Sequence, residues 1–286
     1  MHQFDDELRS SMNTVAVSET EDDFQPLRSA YKISETRDLP ALLHIRNTTF
    51  ISNEQLFSFL VEKKLESNRR SFNWRVQRYL KCEYIRAIGR VLPYTGEVYT
   101  ITRLGLSLLE SFGEGLVSVS SESRTLPGRQ QAPHFLELNE IRSAFRATGK
   151  LHRWQNDRQV ASLNYVIGTP LTKDYDAIAE LAFEQKVLRI AVEYERTLKT
   201  SARYQQISEA IRDEDHVDMI LYLTPIPDLV FTLENEFKKP ELPMAFCASR
   251  RFRTSGLNAT MLFSYGEMKK TMKLAEIASV ILPLIA

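Results

Sequence analysis

From residue 39 to residue 109 the apolar positions follow the rhythm of four helices and a hairpin. Residues 39–50 read as a first helix. A second opens at Ser52, with Gln55 three positions on. That is the spacing at which an N-cap hydroxyl and an N3 amide satisfy each other's backbone donors. Leu56, Phe57, Leu60 and Val61 recur at i, i+1, i+4 and i+5, one buried stripe. A third helix opens near Ser67 or Ser71, with Phe72, Val76, Tyr79 and Leu80 on one side. At about 100° per residue, Arg70, Trp74, Gln77, Arg78 and Lys81 fall opposite. Residues 84–91 predict a strand, Leu92-Pro93-Tyr94-Thr95-Gly96 a turn, and 97–101 a returning strand. Thr102 then caps a closing helix that carries Leu104, Leu108 and Leu109.

The pattern changes on both sides of this segment. Residues 1–37 are polar and acidic without sustained periodicity, the signature of disorder, with one docked turn expected near residues 24–31. Residues 113–134 are rich in Gly, Ser, Pro and Gln and read as a linker between a domain at 38–112 and another at 135–286. In the latter, helix and strand signals alternate, which predicts a mixed α/β fold. Residues 176–181 and 186–195 form a strand pair. On the second strand Ile190, Val192 and Tyr194 point one way, and Ala191, Glu193 and Glu195 the other. A helix with Lys199, Arg203 and Tyr204 follows, then strands at 219–223, 244–247 and 260–264 and a helix at 227–237. No repeat is visible along the chain.

Composition narrows the classes. A chain that is 43% hydrophobic and 26% charged is that of a globular protein, and no apolar run approaches the ~20 residues of a membrane helix. The acidic start (Asp5, Asp6, Glu7) is the opposite of a secretory n-region. Cys82 and Cys247 lie far apart, which argues against a disulfide framework or zinc site and for a reducing cytoplasm. His2, His44, His134, His152 and His216 are scattered, and each reads as structural or exposed. The zero net charge hides an asymmetry: residues 69–90 carry Arg69, Arg70, Arg75, Arg78, Lys81, Arg86 and Arg90 against Glu83 alone. Local clusters set the potential a DNA backbone feels.

The run Ser71-Phe72-Asn73-Trp74-Arg75-Val76-Gln77-Arg78-Tyr79-Leu80-Lys81 resembles the recognition helix of winged helix-turn-helix proteins. Tyr99-Thr100-Ile101-Thr102-Arg103-Leu104-Gly105 resembles their wing strand and closing helix. The resemblance implies a major-groove helix whose Arg70, Asn73, Trp74, Gln77, Arg78 and Lys81 approach base edges, with Arg69, Arg75, Arg86 and Arg90 on phosphates. A solvated basic face on a protein-binding helical core is the bland alternative.

Asp176, followed by Glu193-Tyr194-Glu195, resembles the Asp…Glu-x-Lys series of PD-(D/E)xK nuclease-like, that is restriction-endonuclease-like, α/β domains. It departs from the pattern in two places: Tyr175 stands where a Pro is usual, and Glu195 where a Lys is usual. The resemblance implies Asp176, Glu193 and Glu195 as ligands of Mg²⁺, with Lys199 near them. Exposed strand carboxylates paired with Arg189, Lys199 or Arg203 are the alternative.

Three runs together are similar to the replication-relaxation family: 134–142, 174–177, and 193–199 with Arg203-Tyr204. That likeness implies an amino-terminal winged helix, a linker and a degenerate nuclease-like domain, in a plasmid or other mobile element. Three functions follow as expectations. One is a non-catalytic, site-specific binder of double-stranded DNA in replication, mobilisation or transcription control, needing no cofactor. Another is a Mg²⁺-dependent endonuclease. The third is a factor recruiting a replication, relaxase or transcription protein. Self-association as a homodimer fits any of them, and none involves a membrane.

Overall fold

The computed structural model describes residues 32–117, 128–167 and 171–285. Ile33–Ala286 cluster as one compact unit. The expected disordered stretch at 1–31 and the centre of the expected linker, 118–127, lie outside the described residues. At the linker's far end, Arg129–Gln131 form a 3-10 turn that leads directly into a helix, so His134 is helical.

The first half builds α1 (Asp38–Thr48), β1 (Ile51–Ser52), α2 (Asn53–Glu62), α3 (Arg69–Lys81), β2 (Ile85–Gly89), β3 (Val98–Ile101) and α4 (Arg103–Ser111). The strands form a small antiparallel sheet in the order β1-β3-β2. Ser52 caps α2 by the reciprocal pattern read from the sequence, its Oγ accepting from Gln55 N while Gln55 accepts from Ser52 N. Thr102 caps α4 through a bond from Gly105 N. A Cβ at position 105 would lie 2.2 Å from the Tyr84 carbonyl, so only glycine lets α4 approach the hairpin this closely. The cap of α3 is Asn68, between the two serines expected; its side chain accepts from Ser71 N. Ala41, Leu42, Ile45, Leu56, Leu60, Phe72, Val76, Tyr79, Ile85, Ile101, Leu106 and Leu109 fill the core of this half.

The second half contains α5 (Ala132–Ala147), β4 (Leu151–Asn156), α6 (Asp157–Ile167), β5 (Ala177–Phe183), β6 (Lys186–Tyr194) and α7 (Ser201–Ala210). It continues with β7 (Met219–Thr224), α8 (Leu229–Glu236), β8 (Met244–Ala248), α9 (Ser249–Ser255), β9 (Thr260–Tyr265), β10 (Met268–Lys273) and α10 (Leu274–Ile281). Its strands make a seven-stranded mixed sheet, β10-β9-β8-β7-β6-β5-β4, parallel only at β6-β7-β8. The period-2 reading of β6 holds: Ile190, Val192 and Tyr194 enter the core against α5 residues Leu138, Ile141 and Phe145, while Ala191 enters the core on the other face with Tyr204 and Tyr222. Lys199 lies ahead of α7, which Thr200 caps, and so is not a helical residue as expected.

Helix α5 touches both halves. Gln55 donates to Leu136 O at 3.0 Å, Asn139 donates to Phe50 O at 2.9 Å, and Arg146 pairs with Glu62. Among the described residues no helix is long and apolar enough to cross a membrane.

Candidate nucleic-acid interface and carboxylate cluster

Helix α3 separates its residues by face. Phe72, Val76 and Tyr79 are buried, and Arg70, Asn73, Trp74, Gln77 and Lys81 are exposed, with Trp74 62% accessible. The exposed set recurs at i, i+3, i+4, i+7 and i+11, a continuous stripe along the helix. Arg86 and Arg90, on and just after β2, are exposed beside it.

Three of the expected contacts are otherwise engaged. Arg75 is 2% exposed. Its Nε stands 3.0 Å from Glu66, and its guanidinium donates to the carbonyls of Arg37 and Leu65. It therefore holds the domain together instead of meeting a phosphate. Arg78 reaches back to the fully buried Asp38 at 3.5 Å and stacks over Trp74, so it belongs partly to the core and only partly to the outer face. Asp38 also accepts from the Tyr79 hydroxyl at 2.7 Å. Arg69 pairs with Glu54, donates to Asn53 at 3.0 Å and lies over the Phe57 ring, which ties α3 to α2.

The carboxylates converge at one end of β5 and β6. Ala177 stands opposite Val192, so Asp176 enters the pair beside Glu193, and its Oδ2 accepts from Tyr194 N at 2.8 Å. Each acid has a cationic neighbour. His134 Nε2 is 3.2 Å from Asp176, Lys173 Nζ is 2.6 Å from Glu193, and Lys199 pairs with Glu195. Burial pushes the Glu193 pKa upward against the pull of Lys173. Asp176 is held low: burial opposes this, but the hydrogen bond and charge of His134 outweigh it. His134 is raised in turn, the Asp176 carboxylate overcoming the downward push of burial. Asp157, at the start of α6, is pushed up to about 6 by burial, with the Asp176 charge adding to it.

Sequence reasoning assigned Asp176, Glu193, Glu195 and Lys199 and missed Lys173, Asp157 and His134 as their partners. For His134 a signal was present, since it opens the 134–142 run that carried a family resemblance. Lys173 and Asp157 carried none, because their role depends on how the chain returns to the sheet. Among the described residues no group of three or more His, Cys, Asp or Glu side chains stands where it could hold a metal ion.

No family model and no curated protein matches the chain. Among solved structures, that of the restriction endonuclease FokI is similar at 10% identity and a TM-score of 0.27, over 79% of this chain. This chain spans 45% of that structure's length.

Proposed function

We propose that this protein is a site-specific binder of double-stranded DNA, in which α1–α4 with the β2–β3 hairpin act as a winged helix and α3 enters the major groove. The stripe Arg70, Asn73, Trp74, Gln77 and Lys81 carries the reading. Arg, Asn and Gln match base-edge donors and acceptors, and Trp74 offers an apolar face to a thymine methyl. Trp74, 62% exposed at the centre of the stripe, supplies its apolar contact surface. Arg86 and Arg90 on the hairpin supply phosphate contacts.

In this reading the seven-stranded domain is a degenerate, non-catalytic nuclease-like body, and the protein regulates or assists replication, mobilisation or transcription of a plasmid or other mobile element. The pairing of each carboxylate with its own cation supports the non-catalytic part. A Mg²⁺-dependent endonuclease is the second reading, favoured by the convergence of Asp176, Glu193 and Glu195 with Lys199 nearby. These acids do not fit a divalent ion as they stand, because lysines and a histidine occupy the positions a cation would take. Footprinting on DNA flanking the gene, with and without Mg²⁺, tests both. A protected site without cleavage is expected. Absence of any protection would remove the DNA-binding reading, and Mg²⁺-dependent cleavage would put the endonuclease first.

A further inference from the structure

At the hairpin end of the first half, one carboxylate of α5 joins the turn to the second half. Tyr94, in the turn between β2 and β3, donates its hydroxyl to Glu137 of α5 at 3.0 Å. Arg253 of α9 stands 3.2 Å from the other oxygen of the same group. On the hairpin side, Arg129 at the head of α5 donates to the Arg90 carbonyl at 3.0 Å, so these two arginines are adjacent and both exposed. On the far side, α9 carries Arg250 and Arg251, both exposed, next to Arg253. Arg196, exposed just after β6, lies two residues beyond Tyr194, whose ring shares a core cluster with Phe252 of α9. Glu137, the acid in the middle, is buried and already neutralised by Arg253.

We infer that Arg90, Arg129, Arg196, Arg250 and Arg251 form a phosphate-tracking band that carries the DNA backbone from the hairpin onto the seven-stranded domain. The inference rests on the duplex-binding reading and extends it to a second contact surface. The band is made of guanidiniums, which present planar, bidentate donors to phosphate oxygens. Its guanidiniums are assigned to the backbone beyond the α3 footprint and to no base edge, which makes the band a positioning surface and not a reading one. It begins where the hairpin ends, so a duplex held by α3 and the hairpin would meet it only if it continued beyond their footprint. Its role would be to raise affinity and fix the direction of the second domain along the helix.

The test uses the full chain and two random-sequence duplexes, one spanning about one helical turn and one about three. Arg196→Ala/Arg250→Ala/Arg251→Ala is compared with the parent by fluorescence anisotropy across a salt series. All three side chains are exposed, and a matched thermal melt checks that the fold is kept. On the long duplex the variant should bind more weakly, with a log K against log[salt] slope shallower by about 0.9 for each arginine engaged. On the short duplex it should match the parent. Lysine at the same three positions should restore most of the slope, because the contact is charge to phosphate. Unchanged binding of the long duplex by the alanine variant would overturn the band while leaving α3 as the binding helix. Equal weakening on both lengths would place these arginines inside the α3 footprint and overturn the extension. No binding of either duplex by the parent would remove the duplex reading and the band with it.

Discussion

Arg75 Nε stands 3.0 Å from the Glu66 carboxylate, and the two side chains are 3% and 5% exposed. A residue from the basic run of α3 is thus turned inward, beside Asp38 at 3.9 Å. Removing one member of a buried pair strands the other in a low-dielectric surrounding, which costs about 3–5 kcal/mol. Arg75→Ala should lose stability on that scale in urea denaturation, whereas Arg70→Ala, on the exposed face, should stay within about 0.5 kcal/mol of the parent. Equal, small effects would show that Arg75 is not held as described.

The outer stripe of α3 gives the converse expectation. Arg70→Ala/Gln77→Ala touches only exposed side chains, so the melting temperature should not move. Specific DNA binding should fall sharply, since each base contact contributes about 1–3 kcal/mol of discrimination. Arg78 is best left in place, because its contact with Asp38 would mix folding with binding. A wild-type footprint from the double variant would exclude α3 from the groove.

The two faces of α3 mark what the sequence makes legible. The helices and the hairpin of residues 39–109, the Ser52 and Thr102 caps and the two faces of β6 follow from periods of 3.6 and 2, which are local properties. Arg75 was assigned to phosphate by its charge, yet Phe72, Arg75, Val76 and Tyr79 recur at i, i+3, i+4 and i+7, the spacing of a single buried face. The period outranked the charge, and that signal was in the sequence. The partners of the carboxylates were not: Lys173 and Asp157 reach them through a loop and a helix whose return to the sheet no local pattern encodes. Nor was α9, a seven-residue helix too short to show periodicity, though it carries three arginines.

The His134–Asp176 pair makes stability depend on pH. The folded pKa of His134 lies above its ordinary value of about 6.5. Its contribution is therefore fully present below about pH 6.5 and is lost as pH rises through the folded value. The raised Asp157 carboxyl, at about 6, also makes the folded state hold a proton more tightly, so its own effect is a fall in stability between about pH 4 and 6. His134→Gln removes the first effect and, by taking away a positive charge that lowers Asp157, pushes that carboxyl further up. The gap in melting temperature between parent and variant should be widest below about pH 6.5 and should narrow as pH rises through the folded value. A gap that does not change with pH would mean that the His134–Asp176 contact carries no charge.

The last expectation concerns cleavage. A nuclease centre of the type suggested by Asp176 and Glu193 needs its acids free for a cation and a lysine free for water. Here Lys173 lies 2.6 Å from Glu193, and Lys199 is bound to Glu195. Burial has raised the Glu193 pKa, so displacing Lys173 would favour protonation over an empty anionic ligand site. Asp176 spends one oxygen on His134 and the other on the Tyr194 backbone. The parent protein should therefore leave supercoiled plasmid intact in Mg²⁺ or Mn²⁺, and Asp176→Ala and Glu193→Ala should bind duplex DNA as the parent does. Lys173→Ala sharpens the test: without its cation Glu193 should take up a proton at still higher pH, so this variant too should not nick. Nicking by the parent that disappears in both acid variants would overturn the non-catalytic reading and make the cluster an active site.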